Sequence, residues 1–94
     1  MPLYRLLYHP AVLREDLPHI PNEQKQKIQS AIETRLLEDP IIAGKPLRQS
    51  LKGHRKLRVG DWRIIYRIDR KDIIILKIGH RREVYQRATR RLKG

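Results

Sequence analysis

Residues 55–66 read RKLRVGDWRIIY, and this stretch decides the fold that the sequence predicts. Basic and apolar residues alternate on both sides of Gly60-Asp61, a dipeptide that suits a two-residue hairpin turn. Such a turn places Arg58 directly opposite Arg63, because opposed residues of an antiparallel pair lie on the same side of the sheet. We therefore predict a β-hairpin with one apolar face and one basic face.

The two predicted faces of the hairpin differ in chemistry. The apolar face is a core face for helices to cover: Leu57, Val59, Trp62, Ile64, Tyr66 and Ile68. The basic face contains His54, Lys56, Arg58, Arg63, Ile65 and Arg67. Like charges directly opposed across a strand pair are destabilising, so Arg58 beside Arg63 suggests that an anion or an acidic partner neutralises them. A solvated surface strand is the alternative, but it would be expected to mix charge signs, which favours phosphate binding.

The rest of the chain adds helices and two further strands. Residues 3–8 predict a strand, and Pro10 opens a weak helix that Pro18 and Pro21 break. Asn22 is predicted to be the N-cap of a second helix, which ends before Asp39-Pro40. One face of that helix is predicted to carry Ile28, Ala31, Ile32, Arg35 and Leu36. Residues 40–53 are predicted to be an irregular connection. The final helix is predicted from Val84, Ala88 and Leu92, which are spaced i, i+4, i+8.

These elements follow the order β-α-α-β-β-β-α and predict one α+β domain over residues 1–94. The N-terminal strand and a helical hairpin would pack on a small, mainly antiparallel twisted sheet, with a short C-terminal helix. The facing of the last strand depends on the loop at residues 69–72, since a one-residue change reverses it. An odd loop places Ile74, Leu76 and Ile78 in the core and Lys77 with Arg81 on the basic face. We prefer it because burying Lys77 without a partner would be costly.

The composition limits the cellular compartment and the kinds of binding partner that we expect. The chain has 94 residues, no cysteine and a net charge of +12. Residues 52–94 hold 15 Lys/Arg and 4 Asp/Glu, against 7 and 6 in residues 1–51. Charge confined to one half predicts a defined surface for an anionic partner, although a merely solubilising surface is the alternative. The lack of cysteine fits a reducing compartment, and no apolar run approaches the ~20 residues of a membrane span. We expect a cytoplasmic protein with no membrane contact.

Two motifs closely resemble the RelE family of bacterial and archaeal toxins, in the RelE/ParE superfamily. They are LRVGDWRIIYRI at residues 57–68 and IGHRREVY at residues 78–85. The helical hairpin, the connection at residues 39–53 and the basic C-terminal half are also similar, so the resemblance covers essentially the whole chain. It implies a ribosome-dependent endoribonuclease that cuts mRNA in the A site and arrests translation. It also implies a cognate acidic antitoxin that masks the basic face or displaces the final helix.

The resemblance also implies the site residues. The RelE-type catalytic positions correspond to Lys56, Arg63, Arg81 and Tyr85. Two positions depart from RelE, because His54 and His80 stand where RelE has lysine. His54 is kept among the candidate catalytic residues. The predicted RNA-binding residues are Lys52, Arg55, Arg58, Arg67, Lys77, His80 and Arg82.

The chemistry of RNA cleavage suggests roles for these residues. Attack by the 2′-OH on the adjacent phosphate requires a base, positive charge on the phosphorane oxygens and an acid for the leaving oxygen. Arginine forks suit the phosphate, so Arg63 is assigned there, helped by Arg58 and Arg81. The base is Lys56, which has the family precedent, or His54, whose ordinary pKa suits the task. The sequence offers no carboxylate cluster for Mg²⁺, so we expect no metal and no cofactor.

The remaining aromatic residue of the implied site, Tyr85, is predicted to orient or stack on a base near the scissile bond. Two other functions compete with the nuclease. A ParE-type toxin would poison DNA gyrase, but such proteins generally lack the RelE-type cationic residues. A non-catalytic RNA- or ribosome-binding module would also explain the basic half.

Overall fold

The computed structural model of the protein describes residues 3–93 and contains a five-stranded sheet. Its strands are β1 (Arg5–Tyr8), β2 (Lys45–Pro46), β3 (Arg55–Val59), β4 (Trp62–Asp69) and β5 (Asp72–His80). They lie in the order β1-β5-β4-β3-β2, and only the β1–β5 pair is parallel. The predicted α+β class and mainly antiparallel sheet are confirmed.

Helical segments connect the strands. Residues 12–19, the N-terminal helical segment, comprise a π-helical turn at Val12–Asp16 and a 3₁₀ turn at Leu17–His19. Helix α1 (Asn22–Ala31) runs on into a π-helical turn at Ile32–Leu36, and α3 (Val84–Lys93) ends the described chain. The prediction of Asn22 as N-cap was wrong, because extended Pro21 occupies that position without a side-chain cap. The predicted face of this helix is confirmed for its apolar members, whereas Arg35 is exposed.

The connection at residues 40–53 is more regular than predicted. It contains helix α2 (Pro40–Ala43), strand β2 and a 3₁₀ turn at Gln49–Leu51. Asp39 caps α2 by accepting the Ile42 N–H through Oδ1 at 3.2 Å. Proline at the first helical position and aspartate at the cap explain why a helix forms here, and the prediction of an irregular connection was wrong at this point.

The hairpin has the predicted register. Arg58 is paired with Arg63 and Val59 with Trp62 across the Gly60-Asp61 turn. The predicted apolar face enters the main core beneath α1 and the N-terminal helical segment. Leu57, Ile64 and Tyr66 are fully buried there, and Val59, Trp62 and Ile68 pack against them.

Strand β5 differs from the prediction in its first half. Asp69 pairs with Asp72, so the loop has two residues rather than an odd number, and Ile73 and Ile75 enter the main core instead of Ile74. A β-bulge then reverses the alternation of side chains between the two faces of the sheet. Ile65 pairs with Lys77 and Tyr66 pairs with Ile75, so Leu76 is the extra residue between the two pairs. The prediction of Leu76 on the same face as Ile78 was wrong, because Leu76 lies on the opposite face in the cluster with Ile65. Beyond the bulge, Ile78 lies in the main core and Lys77 on the opposite face, as predicted.

The opposite face of the sheet carries a second apolar cluster beneath α3. The buried residues of this cluster are Leu51, Ile65, Leu76, Val84 and Ala88. Gly79 permits the close approach of α3, because a Cβ there would lie 3.3 Å from Val84 Cγ2. Leu92, the third residue of the predicted stripe, is 45% exposed, so α3 buries little apolar surface. No helix within residues 3–93 is both long and apolar enough to cross a membrane.

Candidate catalytic site

The Gly60-Asp61 turn gathers two arginines at one end of the hairpin. Arg63 donates from Nη1 to the carbonyls of Gly60 and Trp62, both at 2.8 Å. The backbone N–H of Arg81 donates to the Asp61 carbonyl at 2.8 Å, and its Nε lies 3.8 Å from Asp61 Oδ1. Both arginines are therefore anchored to the same turn, one from β4 and one from the end of β5.

Arg63 is the most constrained cation of this group. Its residue is only 9% exposed, and its side-chain hydrogen bonds within residues 3–93 use Nη1, so Nε and Nη2 keep their capacity to donate. No acidic side chain among residues 3–93 forms an ion pair with it, and Arg58 is directly opposite. The pair creates a local excess of positive charge with arginine forks suited to phosphate oxygens.

Lys56 and Tyr85 meet between β3 and α3. The Lys56 ammonium lies 5.5 Å from the centroid of the Tyr85 ring, within the range of a cation–π contact. Lys56 shares the sheet face of Arg58 and Arg63, and both Lys56 and Tyr85 are partly accessible. The structure thus brings an amine and an aromatic ring together beside the arginines.

His54 lies deeper than Lys56. The residue is 8% exposed, and its Nδ1 is buried without a hydrogen-bond partner. Burial, followed by the charge of Arg67, lowers the pKa of His54, and the backbone of Lys52 opposes this more weakly. The imidazole is therefore neutral at neutral pH, but Lys56 is the more accessible of the two candidate bases.

The predicted RNA-binding residues divide into two groups. Lys52, Arg58 and Arg82 are exposed and form no ion pair among residues 3–93, whereas Arg67, also exposed, lies 3.8 Å from Asp69 Oδ2. The structure does not bring Arg55, Lys77 or His80 to the site.

Each of these three residues is engaged elsewhere. Arg55 donates to the carbonyls of Ile41 and Gly44, at the end of α2. Lys77 is buried and paired with Asp16. His80 pairs across the sheet with Trp62, and their rings meet edge to face at 6.0 Å.

Sequence reasoning missed Asp16 and Arg91, which form a buried ionic cluster with Lys77. The available signal was indirect: a lysine among apolar residues of β5 requires a buried acceptor. The sequence does not show which of the acidic residues supplies it. Among residues 3–93, no group of three or more His, Cys, Asp or Glu side chains is arranged as metal ligands.

Comparison with known proteins gives a consistent family. Residues 6–85 match the family described as ParE toxin of type II toxin-antitoxin system, parDE. Toxin RelG of Mycobacterium tuberculosis is 41% identical over 54 residues, a match that covers 55% of this chain and 62% of that toxin. Toxin RelE of the same organism is 35% identical over 65 residues, covering 66% of this chain and 67% of that toxin.

A solved structure agrees in three dimensions. The RelBE2 toxin–antitoxin complex of Mycobacterium tuberculosis contains a chain that superposes with a TM-score of 0.76 and 31% identity. The match covers 83% of this chain and 98% of that one. The fold is therefore that of the RelE-type toxins, which confirms the predicted resemblance. The chain belongs to the RelE/ParE superfamily of type II toxin–antitoxin toxins.

Proposed function

We propose that this toxin is a ribosome-dependent mRNA endoribonuclease that cuts in the A site and inhibits translation. One observation carries the proposal: Arg63 and Arg81 are anchored at one turn, and Lys56 with Tyr85 lies on the same side of the hairpin. A phosphate held by the arginines would have an amine and an aromatic ring beside it. The arginines would supply the positive charge, and the Lys56 amine the base, that metal-independent attack by a 2′-OH requires.

Each of these groups has a separate role in the proposed reaction. Lys56 takes the 2′ proton as the 2′ oxygen attacks phosphorus in line, the bond to the 5′ oxygen breaks, and a 2′,3′-cyclic phosphate forms. The leaving 5′ oxygen takes its proton from water. Arg63, supported by Arg58 and Arg81, stabilises the negative charge that develops on the phosphorane oxygens. Because Arg63 is held by two carbonyls of its own turn, its fork is oriented before RNA arrives.

We assign the base to Lys56 rather than His54, with the side chain reacting as its neutral amine. Lys56 is partly accessible and lies against the Tyr85 ring, whereas the Nδ1 atom of His54 is buried. Tyr85 can present its ring to an unstacked base next to the scissile phosphate, since aromatic side chains commonly stack on single-stranded RNA. The exposed cations Lys52, Arg67 and Arg82 would contact flanking phosphates of mRNA or ribosomal RNA.

A cognate acidic antitoxin completes the proposal. The net charge of +12 favours an acidic partner, and the superposed relative was solved as a toxin–antitoxin complex. Binding over the candidate site would neutralise the Arg58–Arg63 pair. The antitoxin is therefore expected to abolish cleavage when it is added in equal amount.

The decisive test is a primer-extension map of mRNA in a purified translation system, with and without ribosomes. The wild-type chain is compared with Arg63→Ala, and Arg14→Ala serves as a control that removes an exposed arginine elsewhere. We expect codon-phased cuts that require ribosomes and fall by on the order of 10²–10³ in Arg63→Ala, the usual effect of removing a transition-state donor. Arg14→Ala should cut normally.

Other outcomes separate the competing functions. A plain RNA-binding module would produce no cuts, and Arg63→Ala would only weaken its salt-dependent binding. The name of the matched family supports a second candidate, a ParE-like toxin acting on DNA gyrase. No cuts from the folded wild-type chain would overturn the nuclease proposal, and stabilised gyrase–DNA cleavage complexes would establish this second candidate.

A further inference from the structure

The carboxylate of Asp16 is fully buried and accepts from three residues. Lys77 Nζ lies 2.6 Å from Oδ1, and the backbone N–H of Ile78 donates to Oδ2 at 3.0 Å. Arg91 binds it with both terminal nitrogens, Nη1 to Oδ2 at 2.8 Å and Nη2 to Oδ1 at 3.0 Å. These contacts join the N-terminal helical segment, β5 and α3 through a single side chain.

This cluster occupies the sheet edge where β1 ends. The last paired residues are Tyr8 and Ile75, after which the His9 N–H donates to the Ile75 carbonyl at 2.8 Å. Beyond that point no strand of residues 3–93 pairs with this side of β5, and side chains bind its backbone instead. Asp16 accepts from Ile78, and Arg91 donates to the Leu76 carbonyl at 2.9 Å. At the β-bulge, side chains of this cluster therefore make the backbone hydrogen bonds that a neighbouring strand would otherwise make.

Helix α3 needs this attachment. It buries only Val84 and Ala88 fully, and in its last turn Arg90 and Lys93 are exposed cations. Arg91 differs from the other cations of this turn, because its side chain is only 10% exposed and it pairs with the fully buried carboxylate of Asp16. Val84 seats the first turn of α3 on Gly79, and Asp16 holds the last turn through Arg91.

We propose that Asp16 is a positioning residue that acts through Arg91 and α3 to hold Tyr85 against Lys56. Tyr85 lies in the first turn of α3, so a shift or rotation of this helix changes the 5.5 Å contact with Lys56. Asp16 itself touches neither residue. Its effect on cleavage rests on the proposed nuclease function, whereas its effect on the seating of α3 does not.

The attachment of α3 to the sheet is tested first by amide hydrogen exchange, a measurement that needs no enzymatic activity. Asp16→Asn keeps the shape of the side chain but leaves Lys77 and Arg91 buried without a counter-charge, which is strongly unfavourable. We expect exchange of the α3 amides to accelerate by about tenfold or more, with the central β4 amides still protected. Asp72→Asn is the matched control, because it removes an exposed ion pair with Arg5. Unchanged α3 protection in a folded Asp16→Asn protein would overturn the proposal.

The second test is a double-mutant cycle on cleavage. Asp16→Asn should lower kcat/KM by roughly tenfold in the wild-type background but by less than about twofold when Tyr85 is already alanine, because the two act as one unit. Equal losses in both backgrounds would show that Asp16 does not act through Tyr85. If Asp16→Asn does not fold, Arg91→Met replaces it, since it leaves the Asp16–Lys77 pair intact and removes only the α3 side of the cluster. A wild-type chain that cuts no RNA would refute the nuclease while the exchange result still decides whether Asp16 seats α3.

Discussion

The ammonium of Lys56 lies 5.5 Å from the centre of the Tyr85 ring, so the first hairpin strand and the C-terminal helix meet at one point of the candidate site. The contact links Lys56, the proposed base, to a helix that is held by little apolar packing. Changes that loosen α3 are therefore expected to act on catalysis before they affect the main core.

The Tyr85 ring is expected to matter more than its hydroxyl. Tyr85→Ala removes both the stacking surface and the cation–π contact, and base–aromatic stacking alone contributes about 1–3 kcal/mol. We expect kcat/KM for ribosome-dependent cleavage to fall by roughly 10- to 100-fold in Tyr85→Ala and by less than about threefold in Tyr85→Phe. Equal losses in the two variants would show that the hydroxyl, not the ring, carries the function of this residue.

His54 predicts a dependence of stability on pH. Its pKa lies below the ordinary 6.5 because burial and then the charge of Arg67 disfavour the imidazolium. The unfolded chain therefore binds this proton more readily, so the contribution of His54 is complete above about pH 6.5 and is lost as the pH falls through the folded-state pKa.

Urea unfolding of the wild type and His54→Gln between pH 8 and pH 5 measures this contribution. Glutamine does not titrate in this range, so we expect the free energy of unfolding to decline less steeply with acid in the variant. The other histidines are common to both proteins and cancel in the difference. Parallel curves would contradict the assignment of a lowered pKa to His54.

Gly44 is predicted to tolerate no side chain. A Cβ there would overlap the hydroxyl of Tyr66 and lie 2.7 Å from the Lys56 carbonyl. The Tyr66 hydroxyl donates to the Pro40 carbonyl at 2.6 Å, so Gly44→Ala must displace this buried bond. We expect Gly44→Ala to reduce the free energy of unfolding by about 2 kcal/mol or more.

A second variant tests the cause of that loss. Tyr66→Phe removes the hydroxyl that the added methyl group meets, so Gly44→Ala should cost less in the Tyr66→Phe background than in the wild type. Denaturant unfolding of the four proteins of this cycle gives the coupling. An additive cycle would show that the methyl group clashes with the Lys56 carbonyl instead.

The second hairpin turn carries a strained residue. Arg70 has a φ of 58°, in the left-handed region that costs residues with a Cβ about 1 kcal/mol or more. Arg70→Gly relieves this strain, partly offset by the greater freedom of glycine in the unfolded chain. We expect the free energy of unfolding to rise by about 0.5–1 kcal/mol, measured by denaturant unfolding. Lys71→Gly, at the neighbouring position, is the matched control and should not stabilise the protein.

The local part of the fold was predictable. The hairpin register and its apolar face follow from the two-residue period and from a turn dipeptide between the strands, and all of this information lies within residues 55–68. The predicted core face of α1 and of the π-helical turn that follows it was likewise correct for Ile28, Ala31, Ile32 and Leu36, because helical periodicity needs no knowledge of the partner.

The last strand was not predictable in this way. The odd loop was inferred from Lys77, on the premise that this lysine must avoid the main core. The structure satisfies that premise by a bulge between Ile65 and Tyr66, with a two-residue loop before it. A bulge leaves no simple mark in the sequence, because it depends on how two strands pair, and one inserted residue reverses every side chain beyond it.

For the candidate site, too, the sequence predicted some features and only the folded structure decided the others. By itself, the sequence determined the hairpin, the concentration of positive charge in residues 52–94 and the family, and it proposed Lys56, Arg63, Arg81 and Tyr85 as site residues. Only the tertiary structure decided which cations are free. It placed Arg55 on the carbonyls of Ile41 and Gly44 and placed Lys77 on Asp16. The reason is physical: a buried cation needs an acceptor, and acceptors distant in the sequence become neighbours only when the chain is folded.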